Sequence, residues 1–432
     1  MLTVNRRDAL VHTAAGAVAA ATLSVAPTPA KAAANDRISV CVIGVRGRGR
    51  GLGTDFAGRP EAQVTHICDV NEPLLGGYAK QISDVQKSEP KAVTDLRRVL
   101  DDKSVDAIVV ATPDHWHALA TIWGCQAGKH VYVEKPISHN PFEGQQMVAA
   151  ARKYNRVVQV GTQSRSVPHY LEAMELLRAG KLGKLHMAKA WNSQLRRRVP
   201  EVPDSPVPTG LDWDIWQGPA PERPFNANRY TYGWRWMWDY GTGDMGNDGV
   251  HDLDIARWGL GVDYPTEVHA MADKLHFAGD IQETPDTQIV TFRFPKQQAI
   301  LVYEQRLWSN YVQEGFENGV AFYGTEGYMV IGRRGWRVVG RKNEVLFDKQ
   351  VAFSDIPHIE NFLSCIKSGS TPQCDIAEGH RSTLLAHLGN LSYRVGRTLN
   401  FDAENLAITG DAEATALMKR SGRGAFQIPD KV

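Results

Sequence analysis

The chain has 432 residues, too many for one ordinary core, so two domains are the natural expectation. Its 49 Lys and Arg nearly balance 48 Asp and Glu, which excludes a global field that would draw it to nucleic acid or an anionic membrane. Hydrophobic residues at 43%, with 39 Gly and 22 Pro, exclude a coiled coil or a disordered chain and suit a loop-rich enzyme.

Residues 1–34 differ from the rest. Arg6 and Arg7 stand side by side ahead of an Ala-rich, weakly apolar stretch, and small residues follow at Ala30 and Ala32. This is the layout of a twin-arginine export signal cleaved after Ala32, so the expected location is periplasmic or otherwise exported. No later run approaches the roughly 20 apolar residues of a membrane span, and no membrane contact is expected of the mature form. The five cysteines, Cys41, Cys68, Cys125, Cys365 and Cys374, are odd in number and lack C-x-x-C. That argues against a disulfide framework and a zinc site, with a Cys365–Cys374 bridge in an oxidising compartment the lesser alternative.

Residues 36–157 read as a first domain. "RISVCVIG", "AQVTHICD", "VDAIVVATP" and "KHVYVEKP" are near-continuous apolar strands. Helical stretches such as "AVTDLRRVLDD" and "HALATIWGCQAG" lie between them, the second ending on Gly128 as a helix C-cap would. Such alternation predicts βαβ units and a parallel sheet covered on both faces.

Residues 158–432 read as a second, α+β domain. The helical "PHYLEAMELLRAGKLG" and the strand-like "KLHMAKAWNSQ" precede a long irregular stretch over about 193–245, rich in Trp, Tyr, Pro and Gly. Strands return in "TEVHAMADKLHF", "DTQIVTFRF", "QAILVYEQRLW", "GVAFYGTEGYMVIG" and "WRVVGRK", consistent with an open, mostly antiparallel sheet. Two amphipathic helices, in "IPHIENFLSCIKSG" and "IAEGHRSTLLAHLGNLSYRVGRTL", close the chain.

The first strand runs into "GVRGRGRGLG". A strict G-x-G-x-x-G would need glycine at 44, 46 and 49, and Arg46 holds the middle position with Gly47 next to it. Gly44, Arg46, Gly47, Arg48 and Gly49 are nevertheless placed to bring backbone N–H groups to a pyrophosphate at a helix N-terminus. Asp69 ends the second strand, where a carboxylate accepts hydrogen bonds from a ribose diol and repels a 2′-phosphate. NAD is therefore the expected cofactor, with NADP kept possible by the neighbouring arginines. Thr112 and Pro113 sit at the carboxyl end of a later strand, with His115 and His117 just beyond, where ligands of open α/β sheets bind. Asp114 and the two histidines lack further partners at ligand spacing, so no metal is expected.

"VEKPISHN" directs an apolar strand into Glu134, Lys135 and the rigid Pro136, a good way to present one amine in a fixed direction. Later, "GDMGNDGVHDLDIARWGLG" reads as a flexible loop over Gly243–Gly249 followed by a helix beginning at His251. Just before it, eight Trp and Tyr residues crowd into about thirty positions. Their flat rings suit stacking on a sugar's C–H face or packing of the loop itself, with Arg235 and Asp239 available for hydroxyls. Arg196, Arg197 and Arg198 read as a solvated loop.

The glycine turn, "ATPDHWH", "EKP" and "GVHDLDIARW" together resemble the Gfo/Idh/MocA family, the glucose–fructose oxidoreductase and inositol dehydrogenase relatives, over nearly the whole mature chain. The resemblance implies a Rossmann domain plus an open-sheet domain, a nicotinamide cofactor, carbohydrate substrates, and homodimers or homotetramers through the open sheet. It implies that Lys135 hydrogen-bonds the reacting hydroxyl, that Glu134 helps place it, and that His251 acts as general acid/base. Asn247 and Asp248 then join the substrate site, although relatives carry an aspartate where Asn247 stands. Transfer of a hydride between a sugar CH–OH and nicotinamide is the expected reaction. An NAD-dependent glycoside hydrolase working by transient oxidation and elimination is the alternative, and a non-catalytic binder the third reading.

Overall fold

The computed structural model describes residues 37–432, so the export-signal expectation over 1–34 lies outside the described residues. Six parallel strands form the first sheet: β1 (Ile38–Ile43), β2 (Ala62–Cys68), β3 (Lys91–Val93), β4 (Ala107–Val110), β5 (His130–Val133) and β6 (Val158–Val160). Their order is β3-β2-β1-β4-β5-β6, so the chain winds outward in both directions from the β1/β4 pair. That reversal opens a crevice at the carboxyl ends of β1 and β4, where doubly wound sheets bind ligands. The segment expected as one helix over "AVTDLRRVLDD" divides instead. Its start is edge strand β3, and Asp95 caps a short helix, Leu96–Asp101, by accepting from Arg97 N. The sheet also continues to Val160, beyond the expected boundary at 157.

Both faces of this sheet are buried, as its unbroken apolar strands require. Helices Leu96–Asp101, Asp114–Gln126 and Pro141–Lys153 cover one face. Helices Gly47–Ala57 and Leu75–Gln86 cover the other, joined by Ile356–Ser368 from far down the chain, whose Ile359, Phe362 and Leu363 enter the same core. The last helices thus do not all belong to the second sheet.

Ten strands form that second sheet: β7 (Leu185–Ser193), β8 (Glu267–Asp273), β9 (Thr287–Phe294), β10 (Ala299–Arg306), β11 (Asn318–Gly324), β12 (Gly327–Gly332), β13 (Gly335–Gly340), β14 (Val345–Gln350), β15 (Leu399–Asp402) and β16 (Ala407–Thr409). Their order is β14-β13-β12-β11-β7-β10-β9-β8-β15-β16. Every pairing is antiparallel except β7 with β10. Along β9 burial alternates residue by residue, the period-two pattern of a sheet covered on one side. Helices Pro168–Arg178, Val250–Leu260 and Ile376–Val395 cover that side. Met271, Ile289 and Ile300 stand exposed on the strands of the open side. Among the described residues no helix is long and apolar enough to cross a membrane, and all five cysteines are free and buried, so Cys365 and Cys374 are not bridged.

Candidate functional site

A cleft of about 600 Å³ opens at the carboxyl ends of β1, β4 and β5. One end is built by the glycine turn. Helix Gly47–Ala57 starts there with no side-chain cap and no acid in its first turn, so its N–H groups and positive dipole end face the cleft free for an anion. A Cβ on Gly44 (φ 86°) would lie 2.7 Å from the Ala111 carbonyl oxygen, whereas Gly47 (φ 36°) has open space where a ligand can approach. Gly49 works differently. A Cβ there would sit 1.8 Å from the Gly44 carbonyl oxygen, so this glycine allows the close helix–strand approach and does not itself line the cleft.

Asp69 is held rigidly beside this turn. Its carboxylate accepts from Val45 N (2.9 Å) and Asn71 N (2.9 Å), and burial pushes its pKa up against those bonds and the nearby Arg46. Tyr230, from the aromatic stretch, closes over this end. Its hydroxyl accepts from Asn71 Nδ2 at 2.6 Å and from Arg46 Nη2 at 3.1 Å. Thr112 lines the cleft as well, and its Oγ1 is buried without a partner among the described residues. An uncapped helix end, a cradle without side chains, an anchored carboxylate and an unpartnered hydroxyl fit a dinucleotide.

The other end holds Lys135 and His251. Lys135 leaves the tip of β5 through a cis peptide to Pro136, and its ammonium donates to the Asn247 carbonyl oxygen. Glu134 points the other way. Its carboxylate pairs with Arg48 Nε at 2.8 Å, and Arg48 also holds Asp355. Burial would raise the Glu134 pKa, but Arg48 and Lys135 outweigh it and hold the carboxyl below its ordinary value. His251 is also pushed down, well below the usual imidazole range, by burial and by the positive charges of Lys135, Arg333 and Arg48, so its ring is neutral. Lys135 is thus steered by backbone geometry, and His251 is left able to accept a proton.

The expected flexible loop at Gly243–Gly249 is a π-helical turn over Met245–Gly249 that runs directly into helix Val250–Leu260. Its glycines serve close packing. A Cβ on Gly249 would lie 2.2 Å from the Tyr303 hydroxyl, and one on Gly246 would lie 2.0 Å from Thr242 Oγ1. The widened turn brings Asn247 and Asp248 together to the cleft wall, although a regular helix would set them about 100° apart. Asn247 Nδ2 donates to Asp244 at 2.7 Å, and Arg196 bonds both Asp244 (3.1 Å) and Asp248 (2.9 Å). Arg196 is therefore not the solvated loop residue its neighbours suggested.

Gly44, Arg46, Gly47, Arg48, Asp69, Thr112, Pro113, His117, Glu134, Lys135, Arg235, Asn247, Asp248 and His251 all line the one cleft. His115 and Asp239 do not. His115 is wholly buried, with Nε2 2.8 Å from the Trp216 carbonyl oxygen, and Asp239 pairs with Arg223 at 2.7 Å. Both ring nitrogens of His117 face carbonyl oxygens, of Pro136 (2.7 Å) and Thr112 (2.8 Å), which makes it a brace between the two strand ends. Several rings of the aromatic stretch pack together, Trp213 on Trp216 at 4.5 Å, while Trp216, Tyr230, Tyr232 and Trp234 also reach the cleft. Sequence reasoning missed Arg333 and Asp355 as cleft residues and Asp244 behind it. Only the last carried a signal, as an acid in the segment before His251.

Residues 38–162 match the profile of the oxidoreductase family with an NAD-binding Rossmann fold, and residues 188–300 and 345–428 match that of its C-terminal alpha/beta domain. The two matches span about three quarters of the chain. Myo-inositol 2-dehydrogenase of Thermotoga maritima is 24% identical over 350 residues, 78% of this chain and 90% of that protein. The uncharacterized oxidoreductase YrbE of Bacillus subtilis is 29% identical over 263 residues, 57% of this chain and 64% of that protein, just under two thirds of its length. Among solved structures, levoglucosan dehydrogenase in complex with NADH and levoglucosan has a TM-score of 0.66 at 19% identity, covering 84% of this chain and 99% of that one. The WlbA dehydrogenase of Bordetella pertussis, in complex with NADH and UDP-GlcNAcA, has a TM-score of 0.64 at 19% identity, covering 85% and 99%. With both halves matched in order, and with the glycine turn, Lys135 and His251 gathered in one cleft, the chain belongs to the Gfo/Idh/MocA family of oxidoreductases.

Proposed function

We propose that the protein transfers a hydride between a CH–OH group of a sugar or sugar derivative and NAD(H). The observation that carries this is the placing of Lys135 and His251 in the same cleft as the glycine turn and Asp69. The nicotinamide, when bound, supplies the hydride acceptor. Lys135, fixed by the Asn247 carbonyl oxygen, hydrogen-bonds the reacting hydroxyl, and neutral His251 takes up its proton. Glu134 stays ionised on Arg48 and out of the proton path. Asp69 favours NAD over NADP by repelling a 2′-phosphate. The test is incubation of purified protein with a panel of sugars and cyclitols and either nucleotide, reading reduced cofactor by its near-ultraviolet absorbance. A product two hydrogens lighter, with matching reduced cofactor, is expected. Failure of every substrate with both nucleotides would overturn the proposal.

A second reading, glycoside hydrolysis by transient oxidation and elimination, is favoured by one feature. The aromatic stretch is stitched over the cofactor end by Glu72 N to the Gly210 oxygen (2.9 Å), Asp212 N to the Val70 oxygen (2.9 Å) and the Asn71–Tyr230 bond. A cofactor enclosed in this way suits a cycle that returns its hydride. Released aglycone with heavy oxygen from water in the sugar, and no net cofactor reduction, would mark it. Export by the twin-arginine route, resting on Arg6 and Arg7, and self-assembly through the open face around Met271, Ile289 and Ile300 belong to the same proposal. Signal-fused reporter export and sedimentation test them.

A further inference from the structure

The acids that line the cleft are engaged, but not all of its positive charges are. At the dinucleotide end Glu134 and Asp355 are both held by Arg48, and the helix start at Gly47 is there to meet the pyrophosphate. Toward His251 the acids are also engaged: Asp248 with Arg196 and Asp114 with the Thr242 hydroxyl. Of the guanidinium groups lining the cleft, Arg46, Arg235 and Arg333 form no ion pair among the described residues. Arg46 lies against Tyr230 at the dinucleotide end, and Arg235 and Arg333 are the two left toward His251.

Arg235 is half-buried. It stacks 4.3 Å over the Trp234 ring and 5.0 Å over Tyr232, and donates Nε to Asn247 Oδ1 (3.3 Å) and Nη1 to the Tyr232 carbonyl oxygen (3.2 Å). Nη2 has no acceptor among the described residues. Arg333 follows the end of β12 and is exposed; its guanidinium lies 5.3 Å over the Phe353 ring, with no hydrogen bond among the described residues. Guanidinium stays charged in proteins. Holding the half-buried Arg235 guanidinium without an anion is costly, and a carboxylate or phosphate arriving on it recovers that cost through charge-assisted, often bidentate bonds. A neutral sugar would not. The position is also informative, because Asn247 receives the Lys135 ammonium on its carbonyl oxygen and Arg235 on its side chain. An anion on Arg235 therefore sits next to the reacting carbon.

We propose that the substrate is an anionic carbohydrate, whose carboxylate or phosphate is bound by Arg235, with Arg333 adding a second positive charge, while a nearby hydroxyl meets Lys135 and His251. This rests on the oxidoreductase reading above. The experiment measures NADH binding to the purified protein by fluorescence. It then measures binding of D-glucuronate, D-glucose 6-phosphate and D-glucose by calorimetry, with and without NADH. At least one anionic sugar is expected to bind roughly tenfold or more tighter than glucose. That ratio should fall toward one in Arg235→Gln and in Arg333→Gln, a change that general loosening of the site would not produce. Preference for glucuronate assigns a sugar acid, and preference for glucose 6-phosphate assigns a sugar phosphate. Equal binding of all three, or a ratio unchanged in both variants, overturns the inference. Absence of NADH binding with the anionic preference intact would instead overturn the oxidoreductase reading and leave the anion site standing.

Discussion

The Lys135 side chain makes one hydrogen bond among the described residues, to the Asn247 carbonyl oxygen, so its replacement tests the chemistry with little else removed. Lys135→Met keeps the stem and removes the ammonium. Turnover should fall about 10²–10⁴-fold, while the NADH titration stays within a few-fold of the parent protein. Loss of NADH binding in parallel would mean that the lysine holds the cleft together. At Asn247 the expectation runs against intuition. Placing at this position the aspartate that the family resemblance implies would set a new carboxylate against Asp244, where the Asn247 amide now donates at 2.7 Å. Two carboxylates in contact force one pKa up. Asn247→Asp should therefore cost about 1–2 kcal/mol at neutral pH. A raised native pKa stabilises below the unfolded value, so the deficit should shrink as pH falls into the carboxylate range. Urea unfolding of both proteins at two pH values reads this, and an equal deficit at both would refute it. His380 offers the opposite change. It is buried with neither ring nitrogen hydrogen-bonded among the described residues. His380→Leu removes an unsatisfied polar group, and should raise the unfolding free energy by about 1 kcal/mol.

Among the elements, helix Ile356–Ser368 joins the far end of the chain to the dinucleotide half. Phe362 meets Phe56 edge-on at 6.2 Å and Tyr132 at 5.8 Å, and is fully buried. Phe362→Ala should cost about 3–5 kcal/mol. Because Asp355, at the head of this helix, holds Arg48 beside the glycine turn, NADH affinity should drop as well; a stable variant with unchanged NADH binding would show that the helix only packs. Its apolar spacing made this helix readable in the sequence, but its docking partner was not, since periodicity tells which face is buried and never against what. The same limit explains the missed strands. β14 is mostly exposed and its sequence, VLF then DKQ, does not alternate apolar with polar, and β3, β15 and β16 are only three or four residues long. The parallel strands, the glycine turn, Asp69 and Lys135 were legible because each is local. Arg333, Asp355 and the pairing of Arg196 with Asp244 depend on contacts between distant segments, and the π-helical turn was hidden by glycines that look like a flexible loop.

Across the whole molecule, stability should depend strongly on acidity. Burial lowers the pKa of His115 to about 3, His358 to about 4, His380 to about 4 and His387 to about 3. The unfolded chain takes up protons on these rings near 6.5, while the native protein does not. The unfolded state therefore binds more protons as pH falls below that value, and the native state loses about 1.4 kcal/mol per pH unit for each such histidine. Glu134, whose pKa is depressed, acts in the same direction, its contribution fading as pH drops below its ordinary 4.5. Asp69, Asp114 and Asp252 oppose this, since burial raises their carboxyl pKa values and favours the folded state in acid. Between pH 6.5 and 5 the histidines should dominate, and the unfolding free energy should fall steeply. His387 isolates one share of this slope. Its Nε2 lies 3.1 Å from Ser138 Oγ, a bond that Gln can replace without a titrating ring. Denaturant unfolding of His387→Gln over this range should show a slope shallower by roughly one proton, about 1.4 kcal/mol per pH unit. Parallel slopes for variant and parent would mean that His387 takes up its proton in the native state as readily as in the unfolded one.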